Sequence, residues 1–317
     1  MSSENNPSRV RSGLGSSDYR TNLAFRHLKG RMFYLLCLFG SLVGILLLVT
    51  LINDIRQDGF SYMSKHFFTN FPSRKPEIAG FHGAIMGTLW VMGIVAITSF
   101  PIGVGAALYL EEYAKRNKLT SLIQTNISNL AGVPSIVFGI LGLQLFVRGT
   151  IGYGPAICIG EQCGFGRSVM SGALTLTLLI LPIVIVAAQE AIKSVPPSIR
   201  EASYGVGATK WQTVSSHVLP QAMPGIMTGM ILALSRAIGE TAPIIMIGAL
   251  TFVAFRPEGP LDPFTAMPIQ VLNWISRPQA AFHDLAATGI VVLLVTLLTM
   301  NTIAVLIRVK LGGSSSR

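Results

Sequence analysis

The chain has 317 residues, of which 50% are hydrophobic and only 12% are charged, and its mean hydropathy is +0.58. A soluble domain carries about 25% charged residues, so this composition excludes an ordinary soluble protein and indicates an integral membrane protein. The net charge of +10 does not make nucleic acid an expected partner. Nucleic-acid binding needs a basic face on a soluble module, whereas the charges here lie in tails and loops.

The N-terminal segment, residues 1–30, is rich in Ser, Asn, Gly and Arg and has little apolar content for a core, which predicts a disordered tail. The apolar run that follows is longer than the roughly 7 to 15 apolar residues of a secretory signal peptide, and it shows no small-residue cleavage site. We therefore predict that it remains as a membrane helix. The transmembrane domain is predicted over residues 31–310, followed by a short tail at 311–317.

Six apolar spans are each long enough for a helix across a hydrocarbon core of ~30 Å, which predicts an all-α membrane bundle. They lie near residues 32–52, 84–110, 123–147, 169–188, 225–250 and 285–307. Of the 24 Lys and Arg residues, 15 fall in the tails and loops on the side of both termini and 8 in the alternate loops. The positive-inside rule then predicts that both termini are cytoplasmic.

Two of the predicted external loops carry distinctive residues. The aromatic residues of the segment 60–71 are predicted to anchor it in the outer membrane interface, with contact to a soluble binding protein as the alternative. Cys158 and Cys163 share a later external loop, where an oxidising compartment permits a disulfide. A disulfide and a pair of reduced thiols are equally compatible with this sequence.

The predicted cytoplasmic loop between the fourth and fifth spans contains two short helices. Ser198 and Glu201 have the spacing of a capping box, which predicts the start of the first helix. Gly207 then allows a sharp turn. The second helix is predicted to present Trp211 and Val214 on one side.

This loop, at about residues 189–224, resembles the coupling loop of binding-protein-dependent ABC importer permeases. Their motif is Glu-Ala-Ala, three residues, Gly, nine residues, Ile, any residue and Leu-Pro. Two positions depart from it, because Ser203 replaces the third alanine and His217 replaces the isoleucine. In that family the loop docks on a separate ATPase subunit; the alternative is a plain connector whose acidic residue caps a helix. Five positions match with the spacing intact: Glu201, Ala202, Gly207, Leu219 and Pro220.

The fifth span contains two opposite charges, Arg236 and Glu240, four residues apart. An ionisable side chain at mid-bilayer costs at least about 2.5 to 3.5 kcal/mol, so it normally faces a bundle interior, a partner or a polar pathway. We predict that this pair, with the neighbouring Ser235 and Thr241, lines a substrate pathway. The alternative is a fixed salt bridge within the helix that serves packing alone.

A proline follows the charge pair closely. Pro243 has no N–H to donate to the carbonyl of Gly239, and its ring disturbs the preceding turn. We therefore predict a helix break at these two residues, beside the charges. Irregular backbone at membrane depth is tolerated where it is buried in protein or lines a cavity, although a proline kink is sometimes purely architectural.

The segment from Arg236 to Pro243 resembles the Gly-Glu-Thr-Ala-Pro signature of the PstA type of phosphate ABC permease. The paired PstC type typically lacks the Ala-Pro. Other segments agree with the PstA type and together cover most of residues 70–250: Asn70-Phe71-Pro72-Ser73, Pro76-Glu77, Ala79-Gly80, Pro101-Ile102-Gly103, Tyr109-Leu110-Glu111-Glu112-Tyr113 and Asn129-Leu130-Ala131-Gly132-Val133-Pro134-Ser135-Ile136-Val137.

The resemblance implies a type I ABC importer permease, in the bacterial inner membrane, that forms half of a phosphate pathway. Its implied partners are a PstC-type permease subunit, ATP-binding subunits and an extracytoplasmic phosphate-binding protein. The sequence has no Gly-x-x-x-x-Gly-Lys-Ser/Thr loop, so we expect the partner ATPase to use the ATP and this chain to hold no cofactor. It also shows no metal-ligand spacing and no catalytic constellation, so we expect a transport subunit and not an enzyme.

The chemistry of phosphate agrees with this interpretation. A pathway for this anion must replace strongly held water with a positive centre and hydrogen bonds. The guanidinium of Arg236 offers both, and Glu240 is predicted to neutralise it between transport cycles. Two alternatives stay open: a permease for another oxyanion such as sulfate or molybdate, and an ATP-independent channel or secondary carrier.

Overall fold

The computed structural model describes residues 23–60, 62–115, 117–151, 154–155, 158–159, 162–249 and 253–312. Most of these residues are helical, which confirms the predicted all-α class. The α-helices are α1 (Leu23–Gly59), α2 (Lys65–Thr69), α3 (His82–Leu108), α4 (Lys118–Leu130), α5 (Ser135–Gly142), α6 (Val169–Lys193), α7 (Pro197–Gly205), α8 (Lys210–Thr213), α9 (Leu219–Gly239), α10 (Ala242–Met246), α11 (Met267–Ile275) and α12 (Ala280–Gly312).

Shorter elements join these helices. Residues Pro76–Ile78 form a 3-10 turn. Two small antiparallel hairpins follow α5, the first pairing β1 (Thr150–Ile151) with β2 (Gly154–Pro155) and the second pairing β3 (Cys158–Ile159) with β4 (Gln162–Cys163). Three π-helical turns extend or precede α-helices: Tyr109–Tyr113 after α3, Leu143–Val147 after α5 and Val214–Val218 before α9.

The chain divides into two units, Met1–Asp54 and Ile55–Arg317. The described part of the first unit is the beginning of α1, whose large apolar side chains are exposed. Such a helix suits the lipid interior of a membrane. α1 begins at Leu23, so residues 23–30 are helical where a disordered tail is predicted, and the good helix formers Leu23 and Ala24 favour this earlier start. Residues 1–22 lie outside the described residues.

Five helical segments of the described chain are long and apolar enough to cross a membrane, and counting the bent pair α4 and α5 as one span gives six. This agrees with the predicted number of spans. The bent pair differs from the prediction because it is interrupted where one continuous helix is predicted. The five unbroken segments are Phe25–Ile55, His82–Tyr113, Val169–Lys193, Lys210–Gly239 and Ala280–Leu306.

The third predicted span, residues 123–147, is not one straight helix. α4 and the segment Ser135–Val147 meet at an angle of 105°. Pro134 has no backbone N–H and disfavours the helical conformation in the residue before it, so the helix ends ahead of it. The N–H of Val133 instead donates to the carbonyl of Leu130 and closes a turn. The prediction of a continuous helix is wrong at this point.

The core of the second unit is built around α6, which packs against both α3 and α9. Small residues let α6 and α9 approach closely. A Cβ on Gly225 would lie 2.8 Å from the Cβ of Ala191, and a Cβ on Gly229 would overlap that of Ala187. Close contact between backbones strengthens dispersion in membranes, where the hydrophobic effect between helices is absent.

Gly229→Val is therefore expected to destabilise the folded protein by about 1 to 3 kcal/mol, because the added methyl groups force α9 away from α6. Gly105→Val is the matched control, since a Cβ at Gly105 on α3 meets no atom within 4 Å. Thermal unfolding of the two purified variants in the same detergent measures the difference. Equal unfolding temperatures would contradict the tight packing of α6 on α9.

α11 lies in a segment predicted as a loop, and it belongs to an aromatic cluster. The rings of Phe67 and Phe81 stack with centroids 5.4 Å apart, and Phe81 stacks on Trp274 of α11 at 5.3 Å. Phe67 is buried, so the prediction of membrane anchoring is wrong for this residue. Phe60 and Phe68 of the same segment are exposed. A nine-residue helix is too short for sequence periodicity to distinguish from a buried loop.

Candidate functional site

The two predicted pathway charges lie together at the C-terminal end of α9. The guanidinium Nε of Arg236 donates a hydrogen bond to Oε1 of Glu240 over 3.2 Å. The side chain of Arg236 is 47% exposed, whereas that of Glu240 is 16% exposed. A cation in the last turn of a helix also interacts favourably with the partial negative charge of the helix terminus. The site therefore presents a partly open positive group backed by a more buried carboxylate.

The helix break lies slightly before the predicted proline. α9 ends at Gly239, and Glu240 has an extended backbone with φ −75° and ψ 114°. Pro243 does not interrupt a helix, because it lies in the first turn of α10, where its missing N–H has no helical partner to lose. The hydroxyl of Thr241 donates to the carbonyl of Gly239 over 3.4 Å, which satisfies one of the carbonyls at the end of α9.

Ser235 is directed away from the other predicted pathway residues. Its hydroxyl lies within hydrogen-bonding distance of two acceptors, the backbone carbonyl of Ile231 at 2.7 Å and the amide oxygen of Asn301 on α12, and its one hydrogen can be donated to either. Ser235 therefore joins α9 to α12, while Arg236, Glu240 and Thr241 lie at the end of α9. Sequence reasoning missed Asn301, although an amide inside the apolar span near 285–307 is the signal that identifies it.

The two short helices that follow the helix breaks pack on one another. A Cβ on Gly139 of α5 would lie 2.7 Å from the Cα of Pro243 on α10. Near the end of α10, Gly248 has φ +79°, and a Cβ there would lie 2.7 Å from Nε of Arg167. The side chain of Arg167, a residue of the predicted external loop, therefore lies beside the end of α10.

The two short helices of the coupling loop are joined by their side chains. The buried hydroxyls of Ser203 on α7 and Thr213 on α8 are 2.9 Å apart, within hydrogen-bonding distance. The serine that replaces the third motif alanine thus connects the two helices. Gly207 between them has φ +84°, as expected for the predicted sharp turn. Leu219 and Pro220 form the first turn of α9.

The predicted capping box is wrong. α7 begins at Pro197 and shows no side-chain hydrogen bond at its N-terminal cap, so Ser198 and Glu201 are not a capping pair. The N-terminal cap is Pro196, two residues before the predicted cap Ser198, because a proline in the first turn favours the start of a helix there. A capping box does occur in this loop at the start of α8, where Thr209 and Gln212 bond each other's backbone N–H.

One side of the coupling loop is open to solvent in this chain. The prediction that Trp211 and Val214 share a side is wrong, because Trp211 is exposed and Val214, in the π-helical turn, is fully buried. Aromatic and apolar groups on a polar loop are typical of a contact surface. Five of the exposed residues define the surface here called the docking face: Glu201, Ala202, Tyr204, Val206 and Trp211.

The structure tests the predicted disulfide between Cys158 and Cys163 only in part. Cys163 is disulfide-bonded, and its backbone pairs with that of Cys158 across the β3–β4 hairpin. The side chain of Cys158 lies outside the described residues, so the specific pairing stays a prediction.

Known proteins with related sequences are membrane permeases. The chain is 33% identical over 281 residues to the "Probable ABC transporter permease protein YqgI" of Bacillus subtilis, with 84% of this chain and 91% of the relative covered. It is 32% identical over 233 residues to "Phosphate transport system permease protein PstA 1" of Mycobacterium tuberculosis, covering 72% of this chain and 70% of the relative. The PstA of Yersinia pestis is 29% identical, with 92% and 94% covered. The predicted resemblance to PstA-type permeases is confirmed.

Solved structures show the same fold at lower sequence identity. A chain of a bacterial alginate ABC transporter superposes with a TM-score of 0.64 at 17% identity, covering 88% of this chain and 95% of that chain. A chain of the MetNI methionine ABC transporter gives 0.55 at 18% identity, with 72% and 96% covered. The profile of the family described as "Binding-protein-dependent transport system inner membrane component" matches residues 99–311, which include α4 to α11 and most of α12. The chain therefore belongs to this family of inner membrane components, as a permease subunit of an ATP-driven importer.

Proposed function

We propose that this chain is the PstA-type subunit of a phosphate importer and that it forms half of the translocation pathway. The observation that carries the proposal is the partly open Arg236, paired with Glu240 at the broken end of α9. The relatives described as phosphate transport permeases from M. tuberculosis and Y. pestis support the same substrate.

The geometry of the pair suits binding of a second anion. In the described part of the chain, Glu240 engages the guanidinium of Arg236 through Nε alone, so Nη1 and Nη2 remain to donate to two phosphate oxygens. Glu240 neutralises the positive charge of Arg236 when phosphate is absent. Because Glu240 has left the helical conformation, its side chain can release Arg236 without unwinding α9.

The remaining components are proposed as separate subunits. ATP-binding subunits dock on the docking face and hydrolyse ATP, so this chain itself needs no cofactor. A PstC-type permease subunit covers the open side of Arg236 and completes the pathway, and an extracytoplasmic phosphate-binding protein delivers the anion. The chain lies in a bacterial inner membrane with both termini in the cytoplasm, as the Lys and Arg distribution indicates.

The test is uptake by the native complex, co-purified through this chain and reconstituted into vesicles. We expect labelled phosphate to enter only with ATP and with the binding protein, and an excess of sulfate or molybdate to leave uptake unchanged. Uptake that is abolished by excess sulfate or molybdate would assign the site to another oxyanion. Uptake at the full rate without ATP hydrolysis would show a channel or a secondary carrier instead.

A further inference from the structure

The π-helical turn Tyr109–Tyr113 at the end of α3 carries two consecutive glutamates, whose carboxylates contact different neighbouring elements. The N–H of Ala114 donates to the carbonyl of Tyr109 over 2.8 Å and closes the wide turn. The side chains of Glu111 and Glu112 are 16% and 8% exposed, so both are directed into the protein. In a regular α-helix consecutive side chains are 100° apart on the surface, and π-helical turns occur frequently at functional sites.

Glu112 binds an arginine of the coupling loop. The Nε and Nη2 groups of Arg200 on α7 both donate to Oε1 of Glu112, over 3.0 and 2.8 Å. The same guanidinium donates through Nη1 to the carbonyl of Val195 and through Nη2 to that of Ile192, over 2.8 and 3.0 Å. Every nitrogen of the guanidinium is therefore engaged, and the group joins three elements: α7, the end of α3 and the end of α6.

Weaker contacts connect the same turn to its other neighbours. Oε1 of Glu111 lies 3.5 Å from Nζ of Lys193 on α6 and accepts a hydrogen bond of 3.3 Å from Gln124 on α4. Nζ of Lys210 on α8 lies 5.1 Å from the ring centroid of Tyr113. Lys193 is 45% exposed and also pairs with Glu190, so its contribution is small. The shielded contact between Arg200 and Glu112 is the strongest of the set.

α7 therefore has one exposed side and one side that packs against the ends of α3 and α6. Tyr204, Val206 and Glu201 are exposed on the docking face. Arg200 faces the ends of α3 and α6 instead, and the neighbouring Ile199 packs against the apolar cluster that contains residues of both helices. These two side chains, one ionic and one apolar, connect α7 to the ends of α3 and α6. The ionic contact has fixed geometry, because Nε and Nη2 share one carboxylate oxygen, while Nη1 and Nη2 also bond backbone carbonyls at and just after the end of α6.

We propose that Arg200, held by Glu112, is a positioning residue that transmits movement of α7 to α3 and α6 and so couples ATP hydrolysis to transport. The proposal rests on the proposed function, because it requires an ATPase partner on the docking face. Loss of the contact leaves the pathway residues at the end of α9 intact. Docking also persists, since neither side chain belongs to the docking face. The signature is ATP hydrolysis with little transport.

The test uses the complete reconstituted transporter carrying Arg200→Gln, Glu112→Gln or both. We expect each single variant to retain the ATPase subunits and to lower the number of phosphate ions moved per ATP by at least about fivefold, as for a typical coupling energy. The double variant is expected to lose no more than either single variant, because both changes remove one shared contact. Lys118→Gln is the control, since Lys118 forms no ion pair within the described chain. It should match the unmodified transporter.

The coupling ratio is the number of phosphate ions moved per ATP. A ratio in the single variants equal to that of the unmodified protein would overturn the proposal. Losses that multiply in the double variant, to about 25-fold, would also overturn it, because the residues would then act independently. Arg200→Lys distinguishes loss of the contact from misfolding, since lysine keeps the charge but loses the shared contacts. Its coupling ratio should lie between those of Arg200→Gln and the unmodified transporter. If the unmodified transporter moves no phosphate, the proposed function fails separately. Stimulation of ATP hydrolysis by the transporter's own binding protein then gives the same comparison among variants.

Discussion

Replacing Arg236 by Gln is expected to lower phosphate uptake by the reconstituted transporter at least about 100-fold. A hydrogen bond to a charged group contributes about 1.5 to 3 kcal/mol, so losing two of them costs about 3 kcal/mol or more, and each 1.4 kcal/mol is about tenfold. Glutamine keeps a polar donor at the same position but loses the charge and the planar fork. Initial rates of labelled phosphate uptake with ATP and binding protein measure the effect.

Three further substitutions separate the roles in the Arg236 site. Arg236→Lys keeps the charge without the planar fork, so its uptake rate should lie between those of Arg236→Gln and the unmodified transporter. Arg256→Gln removes an exposed arginine from the loop before α11 and should leave uptake unchanged. Glu240→Gln should permit phosphate binding but slow its release, because nothing then neutralises Arg236. Uptake near the unmodified level in Arg236→Gln, with the complex intact, would remove Arg236 from the pathway.

The position of the pair at a helix end gives it properties that a pair within a helix lacks. The alternative of a fixed intrahelical salt bridge assumes that both residues are helical, but α9 ends at Gly239 and Glu240 is extended. The preference for acid before base in a helical pair therefore does not apply here. The Arg236 side chain also remains about half exposed, unlike that of a charge buried only for packing. These features favour a role of Arg236 as an anion ligand over a role in a purely structural salt bridge.

The sequence predicts those parts of the fold that depend on composition and length. Apolar runs of about 20 residues define the spans because a helix of that length crosses the hydrocarbon core. The predicted turn at Gly207 is also correct, because few other residues adopt its positive φ. The charge pair is found by the same reasoning, since the cost of a charge in lipid is local to the residue that carries it.

The remaining features depend on contacts between distant residues. Nothing near Ser235 in the sequence shows that it bonds Asn301, which lies on another helix. Phe67 has the composition of an interface anchor, yet Trp274 of α11 lies close enough to bury it. The direction of the Arg200 side chain depends on the π-helical turn that brings Glu112 towards it. Propensity and periodicity do not report such tertiary contacts.

Val206→Glu is expected to reduce binding of the ATPase subunits at least about tenfold, as for the loss of a central contact residue. Val206 is the most exposed apolar residue of the docking face, at 86%, and it follows the helix α7 that carries the family motif. An apolar side chain so open is stabilised when a partner covers it, whereas a carboxylate in its place must lose its hydration on burial. Titration of the purified permease with the ATPase subunits measures the affinity.

Ile78→Glu is the matched control for Val206→Glu. Ile78 is also exposed, at 54%, but lies in the 3-10 turn between α2 and α3, on the side predicted to face away from the cytoplasm. The same change of an exposed apolar side chain into a carboxylate should leave ATPase affinity unchanged there. Equal affinity of both variants and the unmodified protein would contradict the docking face. A loss confined to Val206→Glu, with normal folding of both variants, would place the ATPase on the α7 side of the coupling loop, because surface charge alone would have weakened both.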